Sequence, residues 1–489
     1  MNIKRAKQEI KNTIQAYLQK DAYGDPLIPS IRQRPILLIG APGIGKTQIM
    51  EQIAGECGIS LVSYTITHHT RQSAIGLPFI REKEFGGKAY SVTEYTMSEI
   101  IGSVYEKIEQ TGCLEGILFI DEINCVSETL APTMLQFLQC KTFGNQKVPE
   151  GWIIVAAGNP PEYNRSVREF DVVTLDRVKK IEVEPDFSVW KEYAYSAGIH
   201  GAILSYLELK KENFYQMETR VDGKRFATAR GWQDLSEILT VYEKLGLEMD
   251  QEVIFQYIQH EKIAKDFANY LELYRKYQTD YQIQGILQGK VKPSAYEKLK
   301  FAPFDERLSV IGLLLAALSE AFEEAYETDR YVTELFEALK NFRRKLNGEV
   351  RASEILEEMS QQFQKKLGNT LAQYGQLLKG EEQLTSEEAF ERVRKEFVKE
   401  TENREQVIEQ TSEKLEYAFD FMEQAFGESQ EMVVFITELT VNVYSAKFLA
   451  ENECGRFYKY NKGLLANERR AEILSGIEEV EFLMTGKEM

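Results

Sequence analysis

The apolar positions of this chain change their rhythm near residue 200. Before it, short runs of apolar and β-branched residues alternate with stretches in which apolar residues return every three or four positions, the arrangement of a parallel sheet covered by helices. Five runs read as strands: PILLI at 35–39, LVSYT at 61–65, GILFI at 116–120, WIIVAA at 152–157 and KKIEV at 179–183. Ahead of the first, Ile3, Ala6, Ile10, Ile14 and Tyr17 share helical spacing and predict an amphipathic helix packed onto the sheet. Within 68–92, Gly86 and Gly87 flanked by alternating residues predict a hairpin, and the glycine-centred stretch 141–152 predicts another. Beyond 200 the strand signal fades. Leu235, Ile238, Leu239, Tyr242 and Leu245, then Leu335, Leu339, Phe342 and Leu346, recur as helical stripes whose ordinary fate is to face a core. The expected organisation is an αβα domain over 1–200, a small helical domain over 201–300 and an acidic helical region over 301–489, the last boundary marked by Lys298, Lys300, Pro303 and a shift in charge.

Composition narrows this picture. At 489 residues the chain exceeds what one core organises, and its 43% hydrophobic and 28% charged residues are those of a globular protein. Of the formal net charge of −18, −15 falls in residues 301–489 and −3 in residues 1–300. No basic stripe is present to neutralise phosphates, which makes nucleic acid an unfavoured partner. Cys57, Cys113, Cys125, Cys140 and Cys454 are scattered without pairing or metal-ligand spacing. The first twenty residues lack the apolar core of a signal peptide, and Met432 to Ala450 is interrupted by Thr437, Glu438, Asn442 and Lys447. A soluble cytoplasmic protein without membrane contact is expected.

Candidate chemistry sits at the ends of the strands. GAPGIGKT at 40–47 satisfies G-x-x-x-x-G-K-[ST] between an apolar strand and a helical pattern. Gly40, Ala41, Pro42, Gly43, Ile44 and Gly45 form a loop whose backbone N–H groups can cradle phosphates at a helix N-terminus. Lys46 would reach the β- and γ-phosphates, and the Thr47 hydroxyl would ligate magnesium. GILFIDE at 116–122 ends a buried strand in two acids: Asp121 as a magnesium ligand and Glu122 as the base that polarises the attacking water. In WIIVAAGNP at 152–160, Asn159 follows the next strand and offers an amide to the γ-phosphate or the lytic water. His68 and His69 lack a spaced third ligand and read as loop residues.

Together GAPGIGKT, LFIDE and AAGNP resemble the Walker A, Walker B and sensor-1 strings of the AAA+ superfamily. LFIDEIN (118–124), AAGNPPEY (156–163) and LDRV (175–178) resemble the MoxR-type branch. The resemblance covers roughly residues 20–250. It implies an α/β P-loop AAA+ fold with a parallel five-stranded sheet and flanking helices, then a helical lid and an acidic all-helical C-terminal region. It implies ATP and Mg2+ as nucleotide and cofactor, and ATP hydrolysis as the reaction. Arg177 in TLDRV stands where the family keeps an arginine finger offered to a neighbouring subunit. Val178 departs from the family's usual phenylalanine, which leaves Arg165 and Arg168 as alternatives. Arg230 in TARGWQDLS (228–236) resembles sensor 2. The resemblance further implies a homo-oligomeric ring, a hexamer, that remodels or activates a protein client, often with a von Willebrand factor A domain partner, and a hairpin insert facing the pore or substrate. The alternatives are a nucleic-acid-associated or restriction-type NTPase motor and a slow, regulatory nucleotide binder.

Overall fold

A computed structural model describes residues 1–464 apart from 69, 144–145, 164–166, 168–169, 221–222, 347–350, 364 and 380–384. All five expected strands form: β1 (Ile36–Gly40), β2 (Ser60–Thr65), β3 (Gly116–Asp121), β4 (Trp152–Gly158) and β5 (Lys179–Val183). They join into one sheet in the order β2-β3-β4-β1-β5, with every pairing parallel. Parallel neighbours need crossover connections, and helices between the strands supply them, covering both faces. The alternation of side chains divides the sheet between two cores. Leu37, Leu118, Ile120, Ile154 and Ala156 pack with Ile100, Ile101, Val104, Met134 and Phe137 on one face. Ile36, Leu38, Ile117, Phe119, Ile153 and Val155 pack with Met50, Ile53, Ala6, Ile10 and Ile14 on the other. The N-terminal helix Ile3–Leu18 thus buries the stripe read for it, its first turn capped by the Asn2 side chain accepting from Arg5 N–H at 3.0 Å.

The expected hairpin is Pro78–Phe85 paired antiparallel with Lys88–Tyr95. Its turn is Gly86-Gly87 at φ +59° and +79°, the left-handed pair a two-residue loop requires. Thr142–Phe143 and Gln146–Lys147 pair as the second hairpin; Gly144 at its centre lies outside the described residues. A third hairpin, Gln216–Arg220 with Gly223–Ala227, corrects the expectation that strands end near residue 200. Its strands, QMETR and GKRFA, offer too little apolar alternation to register as a half-buried strand.

Spatial contact divides the chain into two compact units, Met1–Lys191 with Lys211–Lys265, and Glu192–Lys210 with the described residues from Asp266 on. These units measure something different from the divisions at 200 and 300 drawn on composition. The second unit is helical throughout its described residues. Its long helices Phe304–Lys345 and Ser386–Phe426, of 42 and 41 residues, share a core of Leu335, Leu339 and Phe342 with Leu356, Leu371 and Val393. Among the described residues no single helix is long and apolar enough to cross a membrane. The apolar stretch around 432–450 is broken at Asn442 into Gln430–Val441 and Val443–Glu451, bent by 86°.

Candidate active site

In a parallel sheet all strands end on one edge, and that edge gathers the candidate residues of the first unit. After β1 the loop 41–47 turns through Gly43 and Gly45, at φ +76° and +89°, conformations glycine adopts without strain, and runs into the helix Gln48–Cys57. The reversal brings Lys46 back over its own loop. Only 8% exposed, it donates from Nζ to Gly40 O at 2.7 Å, Ala41 O at 2.8 Å and Asn159 Oδ1 at 2.8 Å. Burial pushes its pKa down to about 8, with Arg230 acting in the same sense and Asp121 and Glu122 opposing it. Lys46 forms no ion pair among the described residues. A buried ammonium whose bonds all go to neutral oxygens is a site receptive to an anion.

Thr47 Oγ1 donates to Asp121 Oδ2 at 2.9 Å, which sets a hydroxyl and a carboxylate side by side at the ends of neighbouring elements. These are the hard oxygen donors magnesium takes, so the pair fits that ion. Asp121 Oδ1 accepts from the N–H of Glu122, whose backbone is left-handed at φ +57°. Arg230 reaches the loop through its main chain: its N–H donates to Gly43 O at 3.2 Å, one residue into the helix Ala229–Leu245 capped by Thr228. Trp232, fully buried in the same helix, donates from Nε1 to Phe214 O at 3.1 Å, and Tyr215 donates from its hydroxyl to Pro42 O at 3.1 Å.

The structure therefore brings Lys46, Thr47, Asp121, Glu122 and Asn159 together, with Arg230 beside the loop. Arg177 is not among them. It is exposed, just past the short helix Val172–Leu175, and donates from Nη1 to the side chain of Gln139. Val178, in the place of the family's phenylalanine, is buried. Arg165 and Arg168 lie outside the described residues, as does His69, and no cluster of His, Cys, Asp and Glu able to hold a metal occurs among the described ones. Residue-by-residue reading passed over two contributors. Asn124 donates from Nδ2 to Asn159 O, and Tyr215 holds Pro42. Asn124 was visible inside LFIDEIN but carried no charge to attract notice. Tyr215 has no sequence signal, since its partner is a main-chain oxygen 173 residues away. A cavity of about 490 Å³ adjoins the loop, bordered by Gly40, Ala41, Asn124, Asn159, Tyr163 and Val183.

A parallel sheet in this order, with a glycine loop after β1 and two acids after β3, the two strands separated by β4, is the arrangement of a P-loop nucleotide-binding domain. Residues 36–175 match the model of the ATPase family associated with various cellular activities (AAA), so this stretch is similar to an AAA ATPase domain. Comparison with curated proteins finds no match.

Proposed function

We propose that the chain is a magnesium-dependent, MoxR-like ATPase that assembles into a homo-oligomeric ring and remodels or activates a protein client in the cytoplasm. The observation that carries the hydrolytic reading is the meeting of Lys46, Thr47, Asp121, Glu122 and Asn159 on one sheet edge. In this reading the loop 40–47 holds the phosphates by its N–H groups, and Lys46 exchanges its bonds to Gly40 and Ala41 for phosphate oxygens. Asn159, already bonded to Lys46, meets the terminal phosphate. Glu122 orients water and accepts its proton. Thr47 and Asp121 would hold magnesium, which would supply positive charge to offset that of the phosphates. Arg230 stabilises the terminal phosphate within the subunit, and Arg177 does so across a subunit boundary.

The test is ATP turnover by the full chain with and without magnesium, beside Lys46→Ala. Wild type should hydrolyse ATP, and Lys46→Ala should lose tight ATP binding while melting at a similar temperature. Nucleotide affinity unchanged in Lys46→Ala would place the phosphate site elsewhere. The ring and the client rest on the MoxR resemblance. Sedimentation of the ATP-loaded protein tests the first, and co-purification with mass spectrometry the second.

A further inference from the structure

The turns that follow β3 and β4 are joined by more than their strands. Ile123 N–H donates to Ala157 O at 2.9 Å, continuing the ladder one step past Asp121. Beyond it a side chain takes over. Asn124 donates from Nδ2 to Asn159 O at 2.8 Å, and its Oδ1 accepts from Asn159 N–H at 3.3 Å. The amide therefore behaves as a neighbouring peptide group, gripping both polar groups of the Asn159 main chain. Asn124 is 5% exposed, and its space exists only because residue 158 is glycine: a Cβ there would lie 2.5 Å from Asn124 Oδ1 and 2.8 Å from its Cγ. The other end of the clamp is the turn that carries Glu122, closed by Cys125 N–H donating to Glu122 O at 2.9 Å. The side chain of the gripped Asn159 meets Lys46.

We infer that Asn124 is a positioning residue, which fixes the turn bearing Glu122 and the amide of Asn159 as one rigid unit, so that the base for water and the phosphate-facing amide keep their relative placement. The inference rests on the ATPase reading above. Asn124 touches neither nucleotide nor water in this account; it acts through Asn159. Catalytic geometry tolerates little looseness, and a displacement of about 1 Å can cost roughly 10²-fold in rate.

The experiment uses the full chain as wild type, Asn124→Ala, Gly158→Ala and the double variant, with kcat and KM for ATP and the equilibrium affinities for ATP and ADP. Asn124→Ala should lower kcat by roughly 10–100-fold while KM and ADP affinity stay within about threefold, the signature of an interaction that matters in the transition state. Gly158→Ala should show the same split, because its methyl evicts the Asn124 amide. Since Asn124→Ala vacates that space, the double variant should be no slower than Asn124→Ala alone. A role confined to folding predicts instead that activity and affinity fall together with the folded fraction and that the two substitutions add. Turnover of Asn124→Ala within about threefold of wild type, or additive losses in the double variant, overturns the inference. Asn124→Asp, which keeps the volume and the acceptor but lacks the donor, replaces Asn124→Ala if the latter does not fold, and is expected to lose kcat likewise. A wild type that binds nucleotide but never hydrolyses it would sink the ATPase reading. The clamp would then be read by the preference for ATP over ADP, and an identical preference in wild type and Asn124→Ala would sink the clamp as well.

Discussion

Glu122 combines a reactive carboxylate with an unfavourable backbone. A non-glycine residue at φ +57° costs on the order of 1–3 kcal/mol and persists only where its surroundings hold it, here through Asp121 Oδ1 and Cys125 N–H. Two substitutions separate the two properties. Glu122→Gln keeps volume and hydrogen bonding but cannot accept a proton, so ATP should bind as in wild type while turnover falls by roughly 10²–10⁴. Glu122→Gly should be equally inactive yet more stable by about 1 kcal/mol, because glycine adopts this conformation freely. Equilibrium unfolding beside steady-state turnover checks both; a glycine variant less stable than wild type would mean that contacts of the Glu122 side chain outweigh the strain. At this scale the sequence was easy to read where chemistry is charged. Lys46, Asp121 and Glu122 announce themselves by residue type and place, whereas Asn124 and Tyr215 act on main-chain oxygens and nothing in their spacing reveals it.

Among the elements, β1, β3 and β4 were legible as runs of buried apolar residues, and β2, which buries only Ser60 and Val62, and β5, which buries only Ile181 and Val183, as short β-branched runs. The hairpin Gln216–Ala227 was not, since its pairing is main chain to main chain and its side chains are mostly polar. The junction of the helix Ala131–Cys140 with its following hairpin holds another feature invisible to periodicity. Lys141, at φ +56°, is 6% exposed, and its Nζ lies 3.4 Å from Gln33 Oε1. Burial, and then the nearby Lys147, push its pKa from 10.5 down to about 8. A lysine whose folded pKa is depressed opposes folding in full below that pKa, and the penalty is relieved as pH rises from about 8 to 10.5. Wild type should therefore gain stability relative to Lys141→Met across that window, by on the order of 3 kcal/mol at its upper end. Chemical denaturation of both proteins at pH 7 and pH 10.5 measures the change. A stability difference independent of pH would mean that the ammonium is hydrated in the folded state.

At the scale of the whole molecule the question is whether one chain is enough. Lys46, Thr47, Asp121 and Glu122 are assembled without help, but the arginine the MoxR resemblance assigns to a neighbour's site, Arg177, is exposed, and its guanidinium donates to the side chain of Gln139. Beside it the helix Val172–Leu175 exposes Val172 and Val173 at 81% and 57%, apolar surface of the kind an interface between copies would cover. If Arg177 serves the next subunit, Arg177→Ala keeps its own pocket complete and should bind ATP almost normally while hydrolysing it poorly. The loss should be at most the roughly 10³–10⁵ that such arginines supply elsewhere, and smaller here because Asn159 and Arg230 share the charge. Mixing decides the matter. A Lys46→Ala subunit cannot hold ATP but can lend its arginine, and an Arg177→Ala subunit lacks the arginine but has an intact pocket. Two nearly inactive proteins should then regain activity at the boundaries where one lends to the other, in an amount that rises and falls with the mixing ratio. Fluorescence transfer between labelled subunits establishes that they exchange. Exchange without recovered turnover, or an Arg177→Ala protein as fast as wild type, would remove Arg177 from the role and turn attention to Arg165 and Arg168. Recovery would show that catalysis belongs to the assembly and not to the chain.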